Sequence, residues 1–171
     1  MTSAAQAKRS ERSKRTGANL RGAAAKALDL DVLNGHLGYF IRQLQVRLFK
    51  HFIGTFAPML VRPAQYSTMV LISANPGSSQ AAIARVLHIE RARFARLLNE
   101  LEAREWIRRV AAAHDGRSHS LFMTSKGKKA LAKLKVLGAR HELQIADLLG
   151  ARERETLIEL LADRSHRKSP G

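Results

Sequence analysis

The chain has 171 residues, 45% of them apolar, and a formal net charge of +16 from 30 Lys and Arg against 14 Asp and Glu. That length suits one domain with tails, and the absence of cysteine excludes disulfides, thiolate catalysis and Cys-ligated zinc. No apolar run approaches the roughly 18 residues of a membrane span, and no apolar core follows the basic residues of the first segment, so a cytoplasmic setting without a signal peptide is expected. So one-sided a charge points to a polyanionic partner, either nucleic acid or an anionic surface.

Residues 1–28 are rich in Ala, Ser, Lys and Arg, with Leu20 and Leu28 as the only large apolar side chains past the initial Met. Such a stretch buries too little to offset its ordering entropy and is expected to be a disordered basic tail. From Asp29 to Phe56 the sequence predicts one long helix. Leu33, Leu37, Ile41, Leu44, Leu48 and Phe52 recur every three or four residues, and Tyr39, Phe40, Phe49, Ile53 and Phe56 widen that stripe. A face this broad needs more than one neighbour, so residues 29–62 are expected to dimerise.

Pro58 ends the helix and Pro63 opens the next, "PAQYSTMVLISA". "NPGS" at 75–78 is a turn, and Ser78 or Ser79 is placed to cap "SQAAIARVLH". A break at His88-Ile89 leads into "ERARFARLLNELEARE", with Glu90 as a possible cap. Two short helices across a tight turn, the second rich in arginine, form a helix-turn-helix pattern. "WIRRVAA" and "LFMT" flank the tip Asp115-Gly116-Arg117-Ser118 as a hairpin. Thr124 should cap a long helix ending at Gly150, and "RERETLIELLADR" a last one. The expected division is a winged DNA-binding domain at 63–124, C-terminal dimerisation helices at 125–163 and a basic tail at 164–171. The fold class is mainly α with a small β-hairpin.

That order, with "SSQAAIARVLHIERARFARLLNELEAREWIRRVAAAHDGRSHSLFMTSKGKKAL", resembles the MarR family of winged helix-turn-helix regulators over roughly residues 30–163. The most specific part is "LLNELEAREWIRR…DGRSHSLFMTSKG". His88 and Glu105 stand where the family commonly has glycine, which leaves the shape of those two turns open.

The resemblance implies a homodimer on a palindromic operator in double-stranded DNA. Arg91 and Arg93, at the start of the recognition helix, suit bidentate contacts to guanine, with Arg96 one turn on. Ser79 and Gln80 open the preceding helix, whose free N–H groups suit phosphate. Arg117 suits a narrow minor groove. Asp115 would hold the tip in shape, and Ser118 and His119 would touch phosphate. The plain alternatives are solvated arginines and an ordinary surface hairpin.

The family also implies a small aromatic effector, bound where dimer helices join the DNA-binding lobe. "GYFIRQLQVRLFKHF…RPAQYSTMVLISANPG" resembles the branch that responds to aromatic acids or their coenzyme A thioesters. His36, Tyr39, Phe40, Gln43, Arg47 and Tyr66 are the candidate contacts, with Arg42 a further polar one. Plain core packing explains the aromatic residues equally well.

An enzyme is the rival of another class. The seven histidines, at 36, 51, 88, 114, 119, 141 and 166, include no i,i+4 pair for a metal helix. His114 and His119 flank the wing tip, and His141 reads as an interior residue. No phosphate loop or nucleophile elbow appears, so neither a catalytic residue, a metal nor a cofactor is expected. A second rival binds DNA without sequence preference, which the basic tail favours.

Overall fold

The computed structural model describes residues 28–112 and 115–165, and side chains within those ranges except at 112, 115–118 and 163–165. Contacts divide the chain into two units, Met1–Ile41 and Arg42–Gly171.

The helix expected from Asp29 begins only at Leu37. Before it, Asp31–Gly35 forms a short 3-10 helix and His36 is extended. The Asp31 N–H donates to Asp29 Oδ1 at 3.0 Å, and Asp31 adopts a φ of 46°. Such local bonding by Asp, followed by Asn34-Gly35, competes with helix formation where no core contact compensates. The helix α1 then runs from Leu37 to Phe56.

In the second unit, α2 (Pro63–Ala74), α3 (Gln80–Val86) and α4 (Arg91–Ala103) lead into an antiparallel hairpin of β1 (Ile107–Ala112) and β2 (Asp115–Met123), then α5 (Ser125–Leu149) and α6 (Ala151–Ser165). Pro63 sits in the first turn of α2, where the helix ladder needs no N–H donor. Ser79 Oγ accepts from the Ala82 N–H, and Thr124 Oγ1 from the Gly127 N–H, as the capping pattern predicts. Glu90 is the N-cap of α4, but its carboxylate makes no capping bond. Its longer stem suits that bond less than Ser or Asp.

The hairpin departs from expectation as well. Pairing runs from Ile107↔Met123 to Ala111↔His119, then shifts register so that Ala112 faces Asp115. Asp115–Ser118 therefore belong to β2 and not to the loop. Residues 113 and 114, with His114, lie outside the described residues. On its other edge β2 meets the turn before α3, where Gly77 N donates to the Leu121 carbonyl at 2.9 Å and Leu121 N to Ser78 at 3.0 Å.

One core joins these pieces. Phe56, Met69, Ile72, Leu98, Leu101, Leu121 and Leu134 have no exposed surface, and Phe94 and Ile107 are almost as deep. Each such side chain contributes roughly 1.5–3 kcal/mol of burial. Along α4, Phe94, Leu97, Leu98 and Leu101 turn inward, which leaves the arginines to water.

His88 and Glu105 retain the backbone that glycine would favour, with φ of 51° and 60°. Each follows a helix end. Ile89 N bonds the Ala84 carbonyl at 2.9 Å and His88 N the Arg85 carbonyl at 3.1 Å. Trp106 N and Glu105 N repeat that arrangement on Leu101 and Glu102, at 3.0 and 2.7 Å. Both are Schellman ends, in which a left-handed residue lets the last carbonyls find donors. A non-glycine residue there carries steric strain. His88→Gly should therefore raise stability by up to about 1 kcal/mol, the relief exceeding the entropy cost, whereas His88→Val should lower it. Thermal denaturation of the two variants checks this.

Candidate nucleic-acid interface and adjoining clefts

The arginines of α4 divide between its two flanks. Residues three apart share a helix face, while residues two apart do not. Arg91 lines a cleft of about 480 Å³ with Ser79, Gln80, Ala84, Ala95 and His119. The structure thus brings together four of the expected DNA contacts, from the start of α3, the start of α4 and the wing strand. Arg93 and Arg96 line a separate cleft, also about 480 Å³, with Phe49, Ile53, Arg62, Pro63 and Gln65. The pair expected at the helix start, Arg91 and Arg93, is not side by side; Arg93 partners Arg96. All three guanidiniums are exposed, and among the described residues none forms an ion pair. Backbone positions of Asp115, Arg117 and Ser118 lie in β2, and their side chains lie outside the described residues.

Sequence reasoning missed the residues that fix α4 against the wing. Arg109, on β1, donates through Nη2 to Asn99 Oδ1, and its Nε lies 3.3 Å from Glu102 Oε2. Its backbone N–H also donates to Glu102 Oε1. Arg104 secures the other end of α4. It donates to the carbonyls of Met59 and Leu60 at 3.1 and 3.0 Å, and stacks over Trp106. The Arg104 contacts cross 45 and 44 residues, and those of Arg109 join a helix to a strand, so no helical or strand periodicity reveals them. Ala92 and Ala95 line the same cleft as Arg91. Small side chains on an arginine-rich helix leave its surface free to enter a groove closely.

The candidate effector residues do not form one group. His36, Tyr39 and Phe40 belong to the first unit, where the Tyr39 and Phe40 rings meet edge to face at 5.3 Å. Gln43 is exposed, and Arg42 Nη1 donates to Gln45 Oε1. Arg47 lines a broad basic cleft of about 690 Å³ with Lys50, His51 and Arg140. Tyr66 lines a hollow of about 410 Å³ with Phe49, Phe52, Pro63, Gly138 and His141. Burial pushes the Tyr66 hydroxyl pKa up, with the Glu142 carboxylate adding to the effect. That favours a neutral phenol able to donate a hydrogen bond.

His141 is buried, as its place in the pattern implies. Its Nδ1 lies 2.5 Å from Nδ1 of His51, the two rings nearly parallel. One nitrogen must donate and the other accept, so the bond requires at least one neutral ring. Burial, and secondarily the charge His51 would carry, hold His141 below the ordinary 6.5, against an opposing pull from Glu142. The unfolded chain thus binds this proton more readily than the folded one. The stability involved is present above about pH 6.5 and is lost as pH falls through the lowered folded pKa. Melting temperatures compared at about pH 7.5 and about pH 5.5 should show a fall that His141→Gln reduces.

Among the described residues no group of three or more His, Asp or Glu could hold a metal ion, and no helix is long and apolar enough to cross a membrane.

An arginine-bearing helix on a compact helical scaffold, followed by a two-stranded wing, defines a winged helix-turn-helix protein. Known proteins give the same answer. Residues 61–118 match the MarR family. The putative transcriptional regulatory protein for the hcr operon of Thauera aromatica is 34% identical over 128 residues, covering 74% of this chain and 77% of that protein. The transcriptional repressor CouR bound to a 23-mer DNA duplex superposes with a TM-score of 0.78 at 39% identity, over 82% of this chain and all of that one (100%). CouR bound to p-coumaroyl-CoA gives 0.75 at 36%, over 83% of this chain and 100% of that one. The chain belongs to the MarR family of transcriptional regulators.

Proposed function

We propose that this protein is a homodimeric repressor that binds a palindromic operator and is released by an aromatic acyl-CoA thioester. The observation that carries the DNA reading is the cleft where Ser79, Gln80, Arg91 and His119 converge beside an unpaired arginine surface. Helix N-terminal amides at Ser79 and Gln80 suit phosphate, while Arg91 suits a base edge. Arg117 is assigned to the minor groove.

Homodimerisation is supported by the apolar side chains left in water. On α6, Ile158, Leu160 and Leu161 are exposed, and Leu143 and Leu148 on α5 are exposed too. On the N-terminal unit Val32, Leu33, Leu37 and Ile41 are likewise uncovered. Apolar surface on this scale favours association with a second copy. Two recognition helices would then address half-sites about ten base pairs apart.

The effector reading draws on the aromatic hollow at Tyr66 and on the likeness to CouR, whose complex holds p-coumaroyl-CoA. A regulator needs a ligand of unequal affinity for its two states, and a polyanionic thioester complements a chain of net charge +16.

Titration of the region upstream of the gene and of a shuffled duplex, followed by fluorescence anisotropy across a salt series, tests the DNA reading. Tighter binding to the upstream region at every salt is expected, on top of a shared steep salt dependence. Equal binding to both would favour the sequence-independent alternative.

A further inference from the structure

Gln65 is a polar side chain buried in the core, with 3% of its surface exposed. It lies in the first turn of α2 and uses both ends of its amide. Its Oε1 accepts from the Arg62 N–H at 2.9 Å, which closes the start of the helix. Its Nε2 donates to Glu100 Oε2 at 2.7 Å. Arg62 Nη2 reaches the same oxygen at 2.9 Å, but the Arg62 side chain is 72% exposed. A charge-assisted bond from a buried donor outweighs an ion pair open to water. Gln65 is therefore the main anchor of this carboxylate.

An acidic residue is unfavourable on a helix face that meets phosphates. Arg93, Arg96 and Glu100 recur at spacings of three and four along α4, so they share one face. All three line the same cleft as Gln65. A carboxylate four residues after an arginine can pair with it across one helical turn. Arg96 nonetheless forms no ion pair among the described residues. Arg104, one turn beyond Glu100, is engaged by the carbonyls of Met59 and Leu60.

We infer that Gln65 is a positioning residue for DNA binding, holding the Glu100 carboxylate away from Arg96 so that this guanidinium stays free for the duplex. The inference rests on the reading of Arg96 as a DNA contact. A released Glu100 would pair with Arg96 and turn a negative charge toward the phosphates. Gln65 itself touches no DNA; it acts through the acid it restrains.

Anisotropy titration of the full-length protein on the labelled upstream duplex tests this. Gln65→Glu keeps an acceptor for the Arg62 N–H but sets a second carboxylate against Glu100. A surface pair at this spacing shifts an equilibrium by about a factor of two, and a two-fold dimer makes it twice, so operator affinity should fall about fourfold or more. Gln65→Glu combined with Glu100→Gln again opposes a donor to a carboxylate, at unchanged net charge, and should restore affinity to within about twofold of the wild type. Arg96→Ala alone should weaken binding by roughly tenfold, as expected for a lost hydrogen bond to a charged group. In that Arg96→Ala background, Gln65→Glu should have little further effect, below about twofold. A role in packing alone would carry the full loss into that background. Gln65→Met removes the donor without adding a charge; it should weaken binding in the same direction, and Glu100→Gln should restore it. Wild-type affinity in both Gln65 variants, or a loss that survives both Glu100→Gln and Arg96→Ala, would overturn the inference while leaving Arg96 as a DNA contact. Wild-type binding by Arg96→Ala would instead remove Arg96 from the DNA-contacting set, and the inference with it.

Discussion

Gly127→Ala should destabilise the fold by about 3 kcal/mol or more, the upper range for a methyl forced into a packed site. A Cβ at Gly127 would stand 1.8 Å from the carbonyl oxygen of Trp106 and 2.6 Å from its carbonyl carbon. Both are backbone atoms, which have nowhere to retreat. That same oxygen accepts from the Thr124 N–H at 3.0 Å and from Thr124 Oγ1 at 3.2 Å. Thr124 Oγ1 in turn caps α5 through the Gly127 N–H at 2.9 Å. Pushing the two segments apart therefore breaks the join between wing and α5 as well as the helix cap. Chemical denaturation should show a lower midpoint, and operator binding should fail at temperatures where the wild type still binds. At Gly138 the added Cβ would instead meet the Tyr66 hydroxyl at 2.6 Å, the far end of a side chain that can swing. Gly138→Ala should cost much less.

Arg91→Ala should remove sequence preference more than it removes affinity. Arg91 is exposed at the start of α4, in the cleft shared with Ser79, Gln80 and His119. A bidentate arginine–guanine contact discriminates against a wrong base by about 1–3 kcal/mol, and a two-fold dimer makes it twice. The variant should retain binding to shuffled DNA, because the remaining basic surface still neutralises phosphates. Arg117→Ala should do the reverse, lowering affinity for both duplexes with little change in their ratio. Anisotropy titrations of both proteins on upstream and shuffled duplexes separate the effects. An unchanged upstream-to-shuffled ratio for Arg91→Ala would remove it from the base-reading set.

What the sequence made legible was local. Ser79, Thr124, Pro63 and Gly150 mark helix ends through bonds made within a few residues, and the structure has them in those roles. The charge of Glu90 suits a helix start, yet its carboxylate makes no bond there. The helix expected from Asp29 does not form there because Asp29, Asp31 and Asn34-Gly35 bend the chain locally despite the apolar periodicity. His88 and Glu105 teach the opposite lesson. Glycine is missing at both turns, but the last carbonyls of α3 and α4 demand the left-handed residue whatever its side chain. The grouping of Arg93 with Arg96 follows from helical spacing and was readable. The hollow at Tyr66 is not, since it sets Phe52 and Tyr66 against Gly138 and His141 of the distant α5.

The most direct test is a titration of p-coumaroyl-CoA into a preformed complex of the protein with a labelled upstream duplex, read by anisotropy. The account predicts a saturable fall to the value of free DNA, with coenzyme A alone much less effective. Anisotropy that holds steady or rises while the thioester demonstrably binds the protein would contradict it.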